Sequence, residues 1–439
     1  MKKRKLALLG LTALSLAACG VNGGGNDDGD TPDVETKALT LQIFAGGYGT
    51  APWKKALQLF EEDHPDYDIV VNMDNNVNTQ FADRWMQGNP PDFVFFDGTI
   101  DRDTWLKEGL IYDLSTWLES AKVAGEDVFI KDKIDNAYFR KYKDRNGKTI
   151  TYGAPLILTS YGLWYDETLF TDKKWTVPSN FEELKSFADK ATAECKTMIY
   201  PGNYSGYLTQ GFIVPAFAEY GNEFFDRVMN CRDADVYTSN EFKEVLTRFK
   251  EFVDLNDNTF ADCLSLDHTE SQQEWLKRKA ALIPNGLWLR SEMDKLHAIP
   301  DNFHMRYAPS PLVKSQQTIV TTSVTCGIAK QAKNKKSAKD FLTYLYKDEV
   351  LKEFVYASDS PSVADLDLSG DPKVTDVNRY IQSVFNNPKY KHIGNDGSWG
   401  GVDTAINQAV NSIVAKTITI EEAINSIKAA AIKEIKDRK

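Results

Sequence analysis

The chain is poor in the residues that most often carry catalysis or hold a metal ion. Its 439 residues include 5 Cys and 5 His, which are scattered, and no CxxC pair, HExxH, P-loop, GxSxG or GxGxxG pattern occurs. Zinc sites, nucleotide-binding loops and nucleophile-bearing turns depend on such fixed spacings. The sequence therefore predicts no cofactor and no zinc site, and it carries no familiar catalytic motif.

Excess positive charge and a long internal apolar run are also missing. The formal net charge is -11 at pH 7, which argues against a nucleic-acid partner and against direct docking on anionic lipid heads. No stretch after Gly20 is apolar over the roughly 20 residues that a membrane-spanning helix needs. The length instead predicts two globular domains.

The amino-terminal segment has the features of a secretion signal. Basic residues from Lys2 to Lys5 precede an apolar run from Leu6 to Ala18, which is too short to span a bilayer. The run ends in LAAC, with Cys19 as its last residue, and this resembles the cleavage box of bacterial lipoproteins. We therefore expect a signal peptide over 1–18, a lipid on Cys19 and a flexible tether over 19–37, rich in Gly and Asp. The alternative is an ordinary signal with a chance cysteine.

A lipid on Cys19 would place the mature chain outside the cytoplasm and anchor it to the cell membrane. The sequence does not tell a host with one membrane from a host with two. In that compartment the other cysteines could form disulfides or remain free thiols, and the sequence does not choose between these states. They are Cys195, Cys231, Cys263 and Cys326.

The folded part begins near Ala38 with a strand, a glycine-rich loop and a helix. Tyr48 lies in that loop, and Asp97 directly follows the apolar run FVFF, which predicts a buried parallel strand. Because ligands gather at the carboxyl ends of strands in open α/β sheets, both residues are candidate ligand contacts. The alternatives are local packing for Tyr48 and an N-cap role for Asp97 in a helix over 102–108.

Three stretches in the middle of the chain resemble one family. They are PLILTSYGLWYDETLF from Pro155, WTVPSNFEEL from Trp175 and ALIPNGLW ending at Trp288. Their order and spacing resemble the family 1 extracellular solute-binding proteins, the receptors of sugar ABC importers. The resemblance covers the chain after residue 38. It implies an α/β fold of two lobes, with a hinge between the lobes that the chain crosses three times.

The resemblance also implies how the chain divides. Lobe one would comprise 38–157 and 313–360, and lobe two would comprise 158–312 and 361–439. The sequence NGLWLRSEM around Trp288 most resembles that of receptors for N-acetylglucosamine or its β-linked dimer. The resemblance further implies a non-enzymatic receptor, which we expect to be a monomer that hands its sugar to the transmembrane subunits of an importer.

A pyranose offers an apolar face and a rim of hydroxyl groups, so its site needs flat aromatic rings and polar side chains in a dry cleft. By resemblance, Trp288 and Trp399 are the candidate platforms, and Tyr48 and Asp97 would reach the sugar from lobe one. The remaining candidates lie in the Gly-rich loop PGNYSGY, at the hinge crossing and one helical turn after Trp288. They are Tyr204, Tyr207, Thr159 and Glu292.

One loop resembles a calcium-binding loop. Its candidate ligands are spaced like those of a twelve-residue loop, with glycine at the sixth position, and are Asp365, Asp367, Ser369, Asp371 and Asp376. Pro372 at the eighth position and an aspartate at the twelfth depart from the pattern. A polar surface loop is the alternative.

Two other functions stay open on the sequence. A surface-anchored glycoside hydrolase would also use aromatic rings, and it needs two opposed carboxylates such as Asp97 and Glu292. A receptor of the same fold could instead bind a peptide, a polyamine or an anion. Nothing in the sequence shows that Asp97 and Glu292 converge, and the aromatic and neutral polar candidates favour a sugar over the other ligands.

Overall fold

A computed structural model describes residues 37–143, 147–256, 258–297, 299–395 and 401–438. The predicted signal peptide, most of the tether, Cys19 and Trp399 lie outside these residues. Within the described part, no helix is long and apolar enough to cross a membrane. None of Cys195, Cys231, Cys263 and Cys326 forms a disulfide there, so the structure favours free thiols.

The strands are short except for two that are shared between the halves of the molecule. They are β1 Ala38–Phe44, β2 Asp68–Asp74, β3 Phe93–Phe96, β4 Arg140–Lys143, β5 Thr149–Asp166, β6 Lys196–Met198, β7 Ala280–Gly286, β8 Met305–Ala308, β9 Thr318–Ile328 and β10 Lys391–Gly394.

Several of the α-helices contact these strands. They are α1 Ala51–Asp63, α2 Val77–Met86, α3 Arg102–Lys107, α4 Ser115–Leu118, α5 Ile130–Lys133, α6 Glu167–Lys173, α7 Phe181–Ala191, α8 Gly206–Leu208, α9 Val214–Phe217, α10 Asn222–Met229, α11 Asn240–Leu255, α12 His268–Leu276, α13 Leu289–Leu296, α14 Lys335–Leu345, α15 Asp348–Ser358, α16 Asp376–Phe385, α17 Gly401–Val414 and α18 Ile420–Asp437.

The strands join into one continuous sheet with the order β2-β1-β3-β9-β5-β7-β6. The β1–β2 and β1–β3 pairs are parallel, as are β6–β7 and β9–β10, whereas β9 runs antiparallel to both β3 and β5. The last residues of β5 pair with β7 and β8 instead. Strands β5 and β9 therefore connect two halves of the sheet.

Two separate hydrophobic cores define two lobes around this sheet. The core of the first lobe runs from Leu39 to Leu158 and from Cys326 to Ala364. The core of the second lobe takes its residues from 163–320 and 381–431. The two-lobe α/β architecture predicted from the sequence is confirmed.

The cores locate the three crossings between the lobes. The first lies in β5 between Leu158 and Leu163, the second lies in β9 between Val320 and Cys326, and the third follows Ala364. The predicted return to lobe one at 312/313 falls earlier than the crossing in β9. The reason is that Val313 to Val320 still contribute side chains to the second core.

Three of the candidate carboxylates in the loop with calcium-like spacing have partners within the protein. Asp367 Oδ1 accepts hydrogen bonds from the backbone N–H and the hydroxyl of Ser369, Asp371 binds the hydroxyl of Tyr356, and Asp376 pairs with Arg306. No group of three or more His, Cys, Asp or Glu suited to a metal ion occurs in the described residues. Calcium binding at this loop stays a prediction without geometric support.

Candidate ligand-binding site

A cavity of about 680 Å³ opens on the second lobe. Tyrosine rings, amides, hydroxyls and one carboxylate line it. Its side-chain lining is Tyr161, Asn203, Tyr204, Ser205, Tyr207, Gln210, Asp403, Thr404, Asn407, Gln408 and Asn411. The volume lies within the range of about 300–1,000 Å³ that small-molecule sites occupy.

One wall of the cavity is the start of α17. Asp403, Asn407 and Asn411 are four residues apart and so share one helix face. Asn411 donates from Nδ2 to the carbonyl of Gly202 at 2.9 Å, and the hydroxyl of Thr209 donates to Asn407 Oδ1 at 2.7 Å. These bonds fix the helix against the loop that forms the opposite wall.

That opposite wall is the glycine-rich loop from Gly202 to Tyr207. A Cβ atom at Gly202 would lie 2.3 Å from the backbone of Leu264, so only glycine fits this close approach. Beyond the loop, the chain turns once as a π-helix over Thr209–Ile213. Such turns are often found at functional sites. Here the π-turn includes Gln210, which lines the cavity.

Aromatic rings from both lobes meet beside the cavity. Trp288, at the start of α13, contacts Tyr161 at 5.1 Å and Tyr207 at 6.2 Å between ring centroids. Its third aromatic neighbour is Tyr48 of the first lobe at 5.9 Å, edge to face. Trp288 therefore belongs to the second lobe by its backbone and packs against the first lobe by its ring.

Hydrogen bonds join the lobes next to these rings. The hydroxyl of Ser291 and the ammonium of Lys295, both on α13, donate to the carbonyl oxygen of Gly47 at 2.7 and 2.9 Å. A Cβ atom at Gly47 would lie 2.7 Å from Trp288 Cδ1. The glycine loop after β1 can approach α13 this closely because it has no side chain at this position.

Asp97 lies at the end of β3, as the sequence predicts, and a buried polar chain holds its backbone. Asn78 donates to the carbonyl of Asp97 at 2.8 Å, Gln42 donates to Asn78, and Trp85 donates to Gln42. Burial raises the pKa of the Asp97 carboxyl to about 6, against the hydrogen bond from the N–H of Gly98, which lowers it.

The carboxylate of Asp97 does not cap the helix that follows. The N-cap position of α3 is occupied by Asp101. The Asp97 carboxylate instead accepts the N–H of Gly98 at 2.8 Å. Asp97 lies beside the glycine loop. Its position therefore supports the hypothesis of a ligand contact over that of a helix N-cap.

Two buried hydroxyls lie next to each other near Asp97. Tyr48 is 5% exposed and Thr159 is 2% exposed. Thr159 lies close enough to Tyr48 to lower its pKa, but within the described residues neither hydroxyl has a hydrogen bond of normal geometry. Burial raises the pKa of Tyr48 well above its usual range, and the Asp97 carboxylate adds to this effect. An unsatisfied buried hydroxyl is costly, so a bound ligand that hydrogen-bonds to it gains affinity.

Glu292 lies behind the aromatic cluster and does not line the cavity. Its carboxylate accepts a hydrogen bond from Gln272 Nε2 at 2.8 Å and lies 3.8 Å from His268 Nε2. Burial lowers the pKa of His297, which hydrogen-bonds to Gln272 at 3.2 Å, while Glu292 acts in the opposite direction. Protein partners thus hold Glu292, and it raises the pKa of Tyr207 from nearby, less strongly than burial does.

The structure brings most of the predicted residues into one region. Tyr204 and Tyr207 line the cavity, while Trp288, Tyr48, Thr159 and Asp97 cluster around Tyr161 at the junction of the lobes. Trp399 lies outside the described residues, so its predicted role stays a prediction.

Sequence reasoning missed other cavity residues, above all Tyr161, Asp403 and Asn407. Tyr161 stands inside the motif that carries the family resemblance, directly after the hinge residues. Asp403 and Asn407 could have been found from the polar stripe at four-residue spacing along an otherwise apolar helix.

The fold and the site define a two-lobed ligand-binding protein, with aromatic and polar groups gathered where the lobes meet. Residues 46–352 match the family model described as bacterial extracellular solute-binding protein. The chain belongs to this family, as the sequence predicts. The relatives that it matches are solute-binding proteins and not enzymes, so the chain is a binding protein and the hydrolase alternative is set aside.

Two curated relatives are similar over much of the chain. The diacetylchitobiose binding protein NgcE of Streptomyces coelicolor is 24% identical over 73% of this chain and 68% of its own length. The multiple sugar-binding protein of Streptococcus mutans is 21% identical over 94% of this chain and 93% of its own length.

Solved structures show the same fold at low sequence identity. A raffinose complex of the binding protein RafE superposes with a TM-score of 0.68 at 16% identity, covering 89% of this chain and 98% of that one. A chitin oligosaccharide binding protein superposes with a TM-score of 0.67 at 18% identity, covering 91% and 100%.

Proposed function

We propose that the chain is a carbohydrate receptor that binds a sugar or oligosaccharide between its lobes and delivers it to an ABC importer. The observation that carries this proposal is the cavity, in which Tyr161, Tyr204 and Tyr207 face a set of amides and hydroxyls. Aromatic rings suit the apolar face of a pyranose, and amides both donate to and accept from its hydroxyl groups.

The names of the relatives support a sugar ligand. One relative is called a diacetylchitobiose binding protein and another a multiple sugar-binding protein. These names and the sequence NGLWLRSEM around Trp288 favour N-acetylglucosamine or its β-linked dimer as the ligand.

Delivery would depend on closure of the hinge. Tyr48 and Asp97 come from the first lobe, and Trp288 and the cavity come from the second, so a ligand that contacts both sets favours the closed arrangement. The bonds from Ser291 and Lys295 to Gly47 would add to the closed state. The transmembrane subunits of the importer would then recognise the closed form.

A thermal-shift screen of the purified chain against mono- and oligosaccharides, followed by calorimetry, tests the function. A ligand at 100 times its Kd stabilises the folded state by about 2.7 kcal/mol, which is worth roughly 2–4 °C per kcal/mol for a chain of this size. We expect a shift with N-acetylglucosamine or its β-linked oligomers. A shift with another sugar would change the proposed ligand but support the receptor function. No shift with any sugar would overturn the proposal.

We also propose that Cys19 carries the lipid that anchors the receptor outside the cytoplasm. The support is the LAAC sequence after an apolar run, and the Gly- and Asp-rich segment that follows. Mass spectrometry of the mature amino-terminal peptide should find a lipid on Cys19, and a Cys19→Ser variant should leave the membrane fraction. A Cys19→Ser variant that stays in the membrane fraction would contradict the lipid anchor.

A further inference from the structure

Two carboxylates approach Tyr161 from opposite lobes. Asp97 follows β3 in the first lobe, and Asp403 lies in the first turn of α17 in the second, where it lines the cavity together with Tyr161. The pKa of Tyr161 is raised by burial and further by Tyr207, Asp97 and Asp403. Asp97 lies beside the glycine loop that packs on Trp288, since a Cβ atom at Gly46 would lie 3.5 Å from Asp97 Oδ2. The junction of the lobes therefore carries negative charge from both sides.

No Lys, Arg or His is among the described residues that line the cavity. Burial raises the pKa of Asp97 and of Asp403, whereas the N–H of Gly98 lowers that of Asp97 and the side chain of Asn407 lowers that of Asp403. Lys295 is the basic residue of α13 at this junction, and it donates to the carbonyl of Gly47. Residues 396–400 lie outside the described part of the chain and come shortly before Asp403 in the sequence. They include no Lys, Arg or His.

The same region holds the two buried hydroxyls. Tyr48 and Thr159 are more than nine-tenths buried, and Thr159 lies close enough to Tyr48 to lower its pKa. Within the described residues neither hydroxyl has a hydrogen bond of normal geometry. A carboxylate accepts hydrogen bonds and donates none when ionised. The site thus presents carboxylate acceptors from both lobes, and the described residues that line its cavity include no cation to receive an anionic group.

We propose that Asp97 and Asp403 make the cleft selective by charge, so that it accepts neutral sugars and amino sugars and rejects uronic acids and phosphorylated or sulfated sugars. This inference rests on the proposed function. Sugar hydroxyls, amide N–H groups and ammonium groups donate to carboxylates through strong charge-assisted hydrogen bonds. An anionic sugar would meet two like charges in a partly dry cleft, and such juxtaposition is strongly unfavourable.

Calorimetry at pH 7.5 with four β-1,4-linked disaccharides tests the inference on the full chain. They are cellobiose and diacetylchitobiose, which are neutral, fully deacetylated chitobiose, which carries amines, and cellobiouronic acid, which is anionic. We expect the anionic disaccharide to bind at least about tenfold more weakly than cellobiose. The Asp403→Asn variant should reduce the ratio between the Kd values for cellobiouronic acid and cellobiose. The control variant Asp301→Asn, at an exposed loop position, should leave this ratio unchanged.

Three results would count against the inference. Equal binding of cellobiouronic acid and cellobiose would overturn charge selectivity while leaving the receptor in place. Failure of every neutral disaccharide and of the wider sugar screen would overturn the proposed function and this inference together. A stability readout needs no sugar: denaturant unfolding should show Asp403→Asn at least as stable as the parent chain, and a marked loss of stability would make Asp403 a structural residue.

Discussion

At the scale of single residues, the site is made by side chains whose surroundings leave something unsatisfied. The buried hydroxyls of Tyr48 and Thr159 form no hydrogen bond of normal geometry in the described residues. Asp97 and Asp403 are half-buried, and desolvation raises the pKa of both carboxyls. These features cost folding free energy, and proteins usually retain such costs at functional sites. They are the reason to read the junction of the lobes as a binding site.

Trp288→Ala should abolish sugar binding and leave the protein folded. The ring contacts Tyr48, Tyr161 and Tyr207 and so joins the two lobes at the ligand. Because it is partly buried, its loss should cost about 1–3 kcal/mol of unfolding free energy, below the usual cost of a fully buried Trp. Calorimetry and urea unfolding measure the two effects. Undiminished affinity in the folded variant would contradict the assignment of the site.

The raised pKa of Asp97 predicts a pH dependence of stability. The folded state holds this proton more tightly than the unfolded chain, so the contribution to stability is complete below about pH 4. It is lost as the pH rises to about 6, which is the pKa of Asp97 in the folded protein.

The Asp97→Asn variant isolates this contribution. Its unfolding free energy should fall less steeply than that of the parent chain between pH 4 and 6. Between pH 4 and 6, the changes in unfolding free energy of the two chains should differ by no more than about 3 kcal/mol. Urea unfolding at a series of pH values measures these changes. Parallel pH profiles for the two chains would contradict the raised pKa of Asp97 in the folded protein.

At the scale of elements, two loops set the geometry of the cleft. The loop after β1 must pass close to α13, and the loop before α8 must pass close to Leu264, and glycine meets both requirements at Gly47 and Gly202. Helix α17 then supplies a polar face to the cavity and an apolar face, with Ile406 and Val410, to the second core. One helix thus serves both folding and binding.

Gly47→Ala should weaken sugar binding by separating the loop after β1 from α13. The added Cβ would lie 2.7 Å from Trp288 Cδ1, so the ring or the loop must move. We expect a loss of affinity of about tenfold or more, with a small change in stability because the loop is near the surface. Gly394→Ala is the matched control, since a Cβ at Gly394 meets nothing within 4 Å. Equal affinities for the two variants would contradict the close approach.

At the scale of the whole molecule, the two lobes share one sheet but have separate cores, and this favours motion about β5 and β9. Polar contacts oppose that motion at two places. Ser291 and Lys295 bind Gly47. Asp359, buried at the end of α15, accepts hydrogen bonds from Arg290 of α13 and from Thr375. Helix α13 is thus held by the first lobe at both the loop after β1 and the third crossing.

A Ser291→Ala, Lys295→Met double variant should favour the open form. It removes both donors to Gly47 and leaves the two cores intact. Because affinity depends on the population of the closed form, sugar binding should weaken severalfold, and the radius of gyration without ligand should rise. Small-angle scattering and calorimetry check the two effects. Scattering and affinity identical to those of the parent chain would show that these bonds do not influence closure.

The sequence by itself determined the class of the protein. Motif order predicted the family and the two-lobed fold, and the FVFF run placed Asp97 at a strand end, because hydrophobic periodicity and glycine positions are local properties. It predicted Tyr204, Tyr207 and Trp288 as site candidates from their motifs. In the structure Tyr204 and Tyr207 line one cavity, and the ring of Trp288 lies next to Tyr207.

Only the tertiary structure decided which distant residues meet. Tyr161 and Asp403 share a cavity although they are far apart in sequence. The residues that enter each of the two cores place the second crossing in β9. In the tertiary structure Glu292 accepts a hydrogen bond from Gln272 and does not line the cavity. The four described cysteines are free thiols. These outcomes follow from packing and hydrogen bonding between remote segments, which no local pattern in the sequence encodes.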